Sequence, residues 1–546
     1  MTDILIVGAG PTGLTLAATL ARYGLRPRLI DRAVEPPADR SRAVVIQART
    51  LELFANLGIV DEVLGEALVT DAVSFYSPSG RRGSLRIDPA WIDSRYGRIV
   101  SLPQDRTEAI LTQRLTRDGI VAERGVELVK LTDRDTVVET TLRHADGREE
   151  LCTFNWVVGC DGLHSAVRTL SGIPFIGSTY PDEGLLGDVE IRWPLPDGQI
   201  AICPNVDGVM LGFPLPGAHH FRIILIEPAK AAADERTLPA AEFLDAVRRA
   251  LPRFPASADV ELLGTHWLTR YRLHRKGVPT YRRGRCFLAG DAAHIHSPVG
   301  AQGMNTGIQD AWNLGWKIAL VVQGDAPATL LDSYDAERRP VGETLLRVTD
   351  RFFAIAVGGG RLGRFVRRLL PTIAVRALMV PVIRRRAARF VSQTGIHYAR
   401  SPLSEEAHGA ARLGAHAPHA GDRAPDVALD SSRRLADLLH GPTHTLVMFA
   451  GASTALLERF SALSEEVTAR FGRVVRPTII RLDPAHPAIG EVDRERRAHE
   501  RYGAGGGAIY LVRPDGHIAF RGAGTDVEAL RATLRERFTP TMPARE

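Results

Sequence analysis

The feature that most constrains this chain is a glycine-rich turn near its start. Residues 4–7 (ILIV) form a short β-branched run that is typical of a buried parallel strand. The turn Gly8-Ala9-Gly10-Pro11-Thr12-Gly13 follows, and an apolar pattern with helical spacing then runs to a capping Gly24. A second strand ends at Asp31. This order of strand, turn, helix, strand and acid predicts a dinucleotide-binding unit.

The parts of such a unit have separate roles. The three glycines allow a tight turn, close approach of a diphosphate, and close packing of helix on strand. The helix N-terminus offers unpaired N–H groups to phosphate, and Asp31 can accept hydrogen bonds from a ribose. The motif alone does not separate NAD from FAD. A second match at Gly358, Gly360 and Gly363 has no acid after it before Glu405, so we interpret it as a loop between helices.

Two later segments repeat the pattern of a buried strand that ends in an acid. Residues 156–168 (WVVGCDGLHSAVR) predict a strand, a turn at Asp161 and a helix. Residues 285–324 predict a strand that ends at Gly290-Asp291, a Pro/Gly loop, and a long helix that starts near Gly303-Met304-Asn305. The start of this helix would direct N–H groups at an anion, such as the N1 and C2-carbonyl edge of a reduced flavin.

Composition excludes several protein classes. The chain has 546 residues, 45% apolar and 24% charged, which is typical of a globular protein. Four cysteines exclude a disulfide scaffold, and no apolar run is long enough to span a membrane. The amino terminus lacks the pattern of a secretion signal, so we expect a cytoplasmic protein.

The net charge of +6 is unevenly distributed. Residues 351–400 contain eleven arginines and no acid, so the rest of the chain sums to −5. We therefore expect neither a nucleic acid nor a membrane as partner. The apolar centre of this segment (PTIAVRALMV) predicts an amphipathic helical connector that packs on the protein.

Together, the three motifs resemble the class A FAD-dependent aromatic hydroxylases of the p-hydroxybenzoate hydroxylase and phenol hydroxylase type. Residues 41–54 (SRAVVIQARTLELF) and 102–104 (LPQ) resemble further flavin-contacting segments of that family. The resemblance implies an α/β fold. Its parts would be a Rossmann-like FAD-binding domain (1–178 and 276–400), an inserted β-sheet substrate domain (179–275, with parts of 70–100), a linker (401–420) and a thioredoxin-like domain (421–546).

The resemblance also implies a set of site residues. The adenosine half of FAD would lie on the first motif, the middle of FAD beside an arginine and a glutamine, and the flavin ring on the late loop and helix start. Asp161 would serve both FAD and NAD(P)H. The FAD-binding residues would be Gly8, Gly10, Pro11, Thr12, Gly13, Asp31, Arg32, Arg42, Gln104, Asp161, Gly290, Asp291, Pro298, Gly300, Gly303, Met304 and Asn305. The two candidate catalytic residues are Pro298, which would lie at the reacting edge of the flavin, and His296, which would face the substrate.

The implied reaction is a hydroxylation. NAD(P)H would reduce FAD, dioxygen would form a flavin C4a-hydroperoxide, and the distal oxygen would attack a phenolic ring. A polycyclic, polyketide-type phenol is favoured over simple phenol. Val44 stands where phenol hydroxylases carry an aspartate, which suits a substrate that is already acidic. An exposed Arg192 or Arg222 could bind an acidic substrate, although a solvated face is the favoured interpretation.

Two other functions stay open. One is a Baeyer–Villiger or other flavin oxidoreductase on the same scaffold, and the other is a non-catalytic basic binding protein that uses the arginine-rich segment. A metal site is not predicted, because the His294-x-His296 pair has no further ligands nearby in sequence, and His294 suits a structural role.

The carboxy-terminal third alternates helix and strand patterns and ends in a predicted hairpin around Asp515-Gly516. It resembles the thioredoxin-like domain of phenol-hydroxylase-type enzymes. All four cysteines (Cys152, Cys160, Cys203 and Cys286) precede residue 421, so thiol–disulfide exchange is excluded there. A packing or dimerisation role remains, which would give a homodimer.

Overall fold

A computed structural model provides the structure of the protein. It describes residues 3–36, 43–77, 79–204, 208–228, 236–251, 260–296, 301–357, 372–373, 375–482 and 490–540. Three of the predicted site residues, Arg42, Pro298 and Gly300, lie outside these ranges, as does the second glycine motif at 358–363.

The helices alternate with strands through most of the chain. Their bounds are α1 Pro11–Ala21, α2 Ala48–Leu57, α3 Val60–Glu66, α4 Gln104–Arg117, α5 Ala166–Leu170, α6 Ala240–Ala250, α7 Gly303–Val322, α8 Asp332–Val357, α9 Pro381–Val391, α10 Leu435–Leu439, α11 Thr454–Phe471, α12 Arg497–Arg501 and α13 Val527–Arg537.

The strands are mostly short, apart from two long ones in the middle of the chain. Their bounds are β1 Ile4–Val7, β2 Arg28–Asp31, β3 Val45–Ile46, β4 Leu68–Thr70, β5 Ala72–Ser77, β6 Gly80–Arg86, β7 Ile99–Ser101, β8 Glu123–Arg124, β9 Val126–Asp133, β10 Val138–His144, β11 Glu149–Phe154, β12 Trp156–Gly159, β13 Ile176–Arg192, β14 Gln199–Pro204, β15 Val209–Pro214, β16 His220–Pro228, β17 Arg236–Thr237, β18 Glu261–Gly277, β19 Arg282–Arg283, β20 Cys286–Leu288, β21 His294–Ile295, β22 Glu405–Glu406, β23 His444–Gly451, β24 Val475–Arg481, β25 Glu491–Val492, β26 Ala508–Val512 and β27 Ile518–Ala523.

The amino-terminal sheet carries all three motifs. Its strand order is β19–β20–β12–β1–β2–β8, and β20, β12, β1, β2 and β8 pair in parallel. The central strands β1, β12 and β20 are buried along their whole length. The helices α1 and α7 are also mostly buried and share one apolar core with these strands. The acids that end the strands therefore meet at one edge.

A second sheet fills the middle of the chain. Its order is β17–β18–β13–β16–β15–β14–β5–β6, with β21 beside β18. The β-sheet predicted for this region is present, with β13, β15 and β16 among its strands, and one helix, α6, lies in the same region. One face of the sheet packs under α6, and the other carries an apolar cluster that includes Leu186, Phe213 and Tyr271. That second face lies toward the amino-terminal sheet.

The carboxy-terminal sheet has the order β22–β27–β26–β23–β24–β25. The predicted hairpin is formed by β26 and β27, which pair antiparallel. Residues 401–420, predicted as a linker, are packed against this sheet. Glu405–Glu406 forms β22 and pairs in parallel with β27, while Ala410 and Leu413 are buried. The segment was predicted as a linker because it is rich in small residues, but several of its small apolar side chains are buried in the structure.

The arginine-rich segment is partly helical, as predicted. In its described part, however, several apolar side chains are exposed and one arginine packs against the protein. Val382 and Ile383 of α9 are 61% and 45% exposed, and Met379 just before it is 66% exposed. Arg384 instead lies over the ring of Trp91, with its guanidinium carbon 4.8 Å from the ring centre. Within the predicted apolar centre, Val375 packs against Gly83, but Met379 does not pack as expected. Trp91 lies nearly 300 residues earlier in the chain, so the local pattern could not predict this contact.

Candidate functional site

A cavity of about 450 Å³ lies between the amino-terminal sheet and the apolar face of the middle sheet. It opens at the carboxyl ends of β1, β2 and β12, where ligands of open α/β sheets bind. The cavity brings together most of the predicted residues that the structure describes. These are Gly8, Gly10, Pro11, Thr12, Asp31, Arg32, Gln104, Asp161, Asp291, His296, Gly303 and Met304.

The three glycines of the first motif differ in what surrounds them. A Cβ on Gly8 would lie 2.4 Å from the Cys160 carbonyl oxygen, and a Cβ on Gly13 would lie 1.9 Å from the Gly8 carbonyl oxygen. Both glycines are therefore needed for close packing of helix and strands. A Cβ on Gly10 would have only Glu108 Oε1 near it, at 4.0 Å. Gly10 therefore leaves space in the cavity, as close approach of a diphosphate requires.

Two helices begin at this cavity with open N-termini. The N-cap residues are Gly10 in α1 and Gln302 in α7, and neither has a side chain that accepts a hydrogen bond from the first turn. Neither helix has an acid in its first turn. Each N-terminus therefore presents unpaired N–H groups and a partial positive charge. The arrangement fits a long ligand with a diphosphate at α1 and an anionic ring at α7, as FAD would provide.

Asp31 lies at the predicted ribose end. Its carboxylate accepts hydrogen bonds from the backbone N–H groups of Ala9 (2.7 Å) and Ala33 (2.9 Å), and Arg124 lies 3.6 Å away. Each oxygen keeps a further lone pair for a ribose hydroxyl. Sequence reasoning did not identify Arg124, which reaches the site because β8 pairs with β2.

Gln104 is joined to an acid that sequence reasoning also missed. Its Nε2 donates to Glu108 Oε1 (2.9 Å), and its Oε1 accepts from the Ala43 N–H (3.2 Å). Glu108 follows one turn later on α4 and lines the cavity. Burial raises the pKa of Glu108 above its ordinary value, although the Gln104 hydrogen bond opposes the shift. The four-residue spacing of these two residues was a signal that could have been used.

Asp161 supports the turn in which it lies. Its Oδ2 accepts from the backbone N–H groups of Ala166 (2.6 Å) and Val167 (3.2 Å) at the start of α5. Burial raises the pKa of Asp161, and hydrogen bonds from Ser165 and the backbone partly offset this rise. The carboxyl group thus shapes the cavity wall between β12 and α5.

The late motif packs directly on the first one. A Cβ on Gly290 would lie 2.6 Å from Thr12 Oγ1, and a Cβ on Gly307 would lie 2.5 Å from the same oxygen. Gly290 also has a positive φ of 62°. Both glycines therefore allow α7 to approach α1, and Asp291 at the adjoining turn lines the cavity.

The side chain of Asn305 forms hydrogen bonds with other protein groups and is not among the residues that line the cavity. Its Oδ1 accepts from the Gln47 N–H (2.9 Å) and from Thr50 Oγ1 (2.7 Å), and its Nδ2 donates to the Val45 carbonyl (2.8 Å). These bonds join the start of α7 to the start of α2. The side chain predicted to contact the flavin ring thus holds the N-terminus of α7 in place.

The two histidines of the His-x-His pair lie in different environments. His294 is buried, and its Nε2 lies 2.8 Å from Asp310 Oδ2, while Asp310 Oδ1 accepts from Arg338 Nε (2.6 Å). Burial alone would raise the pKa of Asp310, but Arg338 and His294 hold it below its ordinary value. His296 instead lines the cavity, with its Nε2 3.5 Å from where a Cβ on Gly303 would lie.

The far wall of the cavity is mostly apolar, although Arg272 and His274 also line it. Leu186, Phe213, Ile224 and Leu273 of the middle sheet line it together with Tyr271. Tyr271 can lie flat on β13 only because Gly184 has no side chain, since a Cβ there would be 2.4 Å from the Tyr271 ring. The wall therefore suits a broad apolar ligand.

Val44 is buried and also lines the cavity. The prediction of an exposed Arg222 is wrong. Arg222 is fully buried, with Nε donating to Asp188 Oδ1 (2.6 Å) and Nη1 to the Ala43 carbonyl (2.7 Å). Arg192 is exposed and pairs with Glu261. Arg222 is buried because it pairs with Asp188 and because the distant segment at Ala43 lies against its guanidinium.

Among the described residues, no three or more His, Cys, Asp or Glu side chains cluster as metal ligands would. The same portion of the chain contains no helix with the length and hydrophobicity needed to cross a bilayer.

Comparisons with known proteins agree with this geometry. The family model described as FAD binding domain matches residues 1–349, and the one described as aromatic-ring hydroxylase, C-terminal, matches residues 417–541. The chain is 34% identical to 6-methylpretetramide 4-monooxygenase of Streptomyces rimosus, covering 98% of this chain and 93% of that one. It is 32% identical to pentachlorophenol 4-monooxygenase of Sphingobium chlorophenolicum, covering 97% and 96%. Among solved structures, the anhydrotetracycline hydroxylase of Streptomyces rimosus superimposes with a TM-score of 0.74 at 28% identity, covering 99% of each chain.

Proposed function

The chain belongs to the FAD-dependent aromatic-ring hydroxylases, and from this premise we propose that it uses NAD(P)H and dioxygen to hydroxylate a phenolic, multi-ring substrate of polyketide type. The observation that carries the proposal is the cavity itself. It joins two open helix N-termini on one side to a broad apolar wall on the other. FAD would occupy the first side, and the aromatic substrate would lie against the second.

The proposed FAD site uses the residues of the three motifs. The diphosphate would lie over Gly10 at the start of α1, the ribose at Asp31, and the middle of the cofactor at Gln104 and Asp291. The ring would lie at Gly303-Met304. When bound, FAD would supply the redox chemistry, since it can accept two electrons from NAD(P)H and activate dioxygen.

The chain's own residues bind, orient and exclude water. The N–H groups at the start of α7 stabilise negative charge on the ring edge. The apolar wall around Tyr271 and Phe213 keeps water from the reacting atoms. We propose that His296, which lines the same cavity, contacts the polar edge of the substrate.

The substrate proposal follows from the wall and from Val44. A wall of this breadth offers more apolar contact than one ring can use, so a multi-ring substrate gains more from it. Because Val44 offers no carboxylate to take a phenolic proton, we propose a phenol that is already acidic. The relatives named above act on 6-methylpretetramide, pentachlorophenol and anhydrotetracycline, which supports an aromatic substrate of this kind.

We extend the proposal to the division of the chain. Residues 1–178 and 276–400 would be the FAD-binding domain, 179–275 with parts of 70–100 the substrate domain, and 421–546 a thioredoxin-like domain. A homodimer contact through the last unit is part of this proposal. The cysteines all lie before residue 421, so its role is structural rather than redox.

A panel of aromatic compounds tests the function. Purified enzyme with bound FAD is mixed with NADH or NADPH, oxygen and each compound, and nicotinamide oxidation and product mass are followed. We expect multi-ring phenols to accelerate oxidation and to gain one oxygen atom each.

Product mass alone does not separate a phenol from a lactone, so the product is also tested for ring opening by base. If no compound accelerates oxidation while FAD stays bound, the proposed hydroxylation is wrong. A ring-expanded lactone would instead support Baeyer–Villiger insertion on the same scaffold.

A further inference from the structure

The turn of the carboxy-terminal hairpin is inserted between two helices of the flavin region. This turn, Arg513–Gly516, connects β26 to β27. The Pro514 carbonyl accepts hydrogen bonds from Trp312 Nε1 on α7 and from Asn56 Nδ2 on α2, both at 3.3 Å. The Asp515 carbonyl accepts from Arg49 on α2. One turn therefore contacts both helices through its backbone oxygens.

The same two helices meet again at the cavity. Asn305 at the start of α7 accepts from the Gln47 N–H and from Thr50 at the start of α2. Gly303 and Met304, next to Asn305, line the cavity. Trp312 follows Asn305 by seven residues, which is about 10 Å along a helix. The turn and the proposed ring site are thus two ends of one pair of helices.

Buried charge fixes the turn in place. Arg513 is 1% exposed, and its guanidinium donates to both oxygens of Glu337 on α8, at 2.6 and 2.9 Å. Lys317 of α7 also donates to Glu337 (2.8 Å), and Asp515 lies against Arg513. Ionic groups buried this deeply are weak evidence for stability, because their desolvation offsets most of their attraction. Their directional bonds, however, define one arrangement of α7, α8 and the turn.

We propose that the Arg513–Gly516 turn is the positioning element of the flavin site, acting through Trp312 and Arg49 as positioning residues. It holds α2 and α7 at the spacing at which the α7 N-terminus faces the flavin ring. Field effects of a helix N-terminus act within its first turn, so a small rotation of α7 would change the charge felt by the ring. Functional groups must be held to about 0.5 Å, which a bond network on the far side of the helices can supply. This inference rests on the flavin site proposed above.

The test is a double variant, Trp312→Phe with Asn56→Ala, made in the full-length enzyme. Both donors to the Pro514 carbonyl are removed, while the buried charges stay paired. We expect the absorbance bands of bound flavin to shift. We also expect about a tenfold lower rate of reduction by NAD(P)H and a larger share of NAD(P)H consumed without product, at an unchanged KM for the aromatic substrate.

A matched control breaks a different bond between the same parts of the chain. Arg95 pairs with Asp437 of α10 at 2.7 Å. It lines the same small pocket as the turn but makes none of the turn's hydrogen bonds described above. Arg95→Gln should lose this pair and leave the flavin spectrum, the reduction rate and the coupling as in the wild type. If Arg95→Gln changes them as much as the double variant does, the effect is general loosening and the inference is wrong.

A conservative rescue separates positioning from loss of folding. Arg49→Met removes the donor to the Asp515 carbonyl, whereas Arg49→Lys keeps a cation that can donate there. We expect Arg49→Met to reproduce the spectral shift and Arg49→Lys to restore most of the wild-type spectrum. Equal spectra for both variants and the wild type would overturn the role of Arg49.

The two proposals fail in different ways. If the double variant binds FAD with the wild-type spectrum, rate and coupling, the turn does not position the site. If Gly10→Val binds FAD as tightly as the wild type, the proposed flavin site is wrong, whatever the double variant does.

Discussion

Two strand–turn–helix units of this molecule have the same local topology and different surroundings. In the first, β1 leads through Gly8–Gly10 into α1, whose N-terminus lies open at the cavity. In the second, β23 leads through Gly451 into α11, and Ser453 Oγ accepts a hydrogen bond from the Leu456 N–H at 3.3 Å. The first unit keeps its helix start available to a ligand, and the second closes its own. The comparison teaches that the groups at the helix start, rather than the topology, decide which unit can bind an anion.

The largest expected effect comes from the most crowded glycine of the first motif. Gly13→Ala places a methyl group 1.9 Å from the Gly8 carbonyl oxygen, so α1 must move off the strand. We expect a loss of about 3 kcal/mol in the free energy of unfolding, together with loss of FAD binding. Urea denaturation and flavin absorbance measure the two effects.

Gly451→Ala is the counterpart in the second unit. Gly451 has a φ of 61°, but a Cβ there would meet only the Gly505 carbonyl oxygen, at 3.9 Å. We expect a cost of about 1 kcal/mol from the backbone conformation alone, with FAD affinity unchanged. If the two alanine variants lose equal stability, the contrast in packing between the two units is not real.

The next effect separates binding from folding within the first unit. Gly10→Val adds a side chain where the nearest described atom is 4.0 Å from the Cβ position, so the protein without FAD should keep its stability. The side chain would occupy the space proposed for the diphosphate. We expect FAD affinity to fall at least 100-fold, or about 2.7 kcal/mol, in a titration of the apoprotein followed by flavin fluorescence. Tight FAD binding by a stable Gly10→Val variant would contradict the site.

The stability of the second unit, which contains β23, should depend on pH. Burial lowers the pKa of His444 on β23 to about 3. The unfolded chain, with a pKa near 6.5, therefore binds this proton before the folded chain does, and stability falls as the pH drops from 6.5 toward 3. The loss should be about 1 kcal/mol for each pH unit below 6.5. His444→Phe should reduce the slope of unfolding free energy against pH by one proton. An unchanged slope would show that His444 titrates normally.

The smallest effect is the loss of the cap in the second unit. Ser453→Ala removes the hydrogen bond to Leu456, and we expect a loss of about 1 kcal/mol with no change in flavin spectrum or FAD affinity. Denaturation and FAD titration of the same sample check both parts. A change in flavin affinity would mean that the two units are more strongly coupled than the structure indicates.

Much of this fold can be predicted from sequence because its signals are local. The strand, turn and helix of the first motif, and the hairpin around Asp515-Gly516, depend on residues that are close in the chain. Helix ends were predicted to within a few residues. Gly24 and Gly324 both have positive φ, but α1 and α7 end at Ala21 and Val322.

The rest depends on contacts between distant residues. Arg124 reaches Asp31 through strand pairing, and Asp310 meets Arg338 across two helices, so no spacing rule could identify either pair. Arg222 is buried by a segment nearly 180 residues away. The pairing of Glu405–Glu406 with β27 likewise needs the folded sheet. Local patterns predict elements, while burial and ion pairing follow from packing.

The central claim is that this cavity hydroxylates an aromatic ring with oxygen taken from dioxygen. The most direct measurement uses ¹⁸O₂ with the FAD-loaded enzyme, NAD(P)H and a phenol that accelerates nicotinamide oxidation. We predict a product two mass units heavier than the product formed in ¹⁶O₂, with the label in a new ring hydroxyl. A product without label, or hydrogen peroxide formed in place of a hydroxylated product, would contradict the claim.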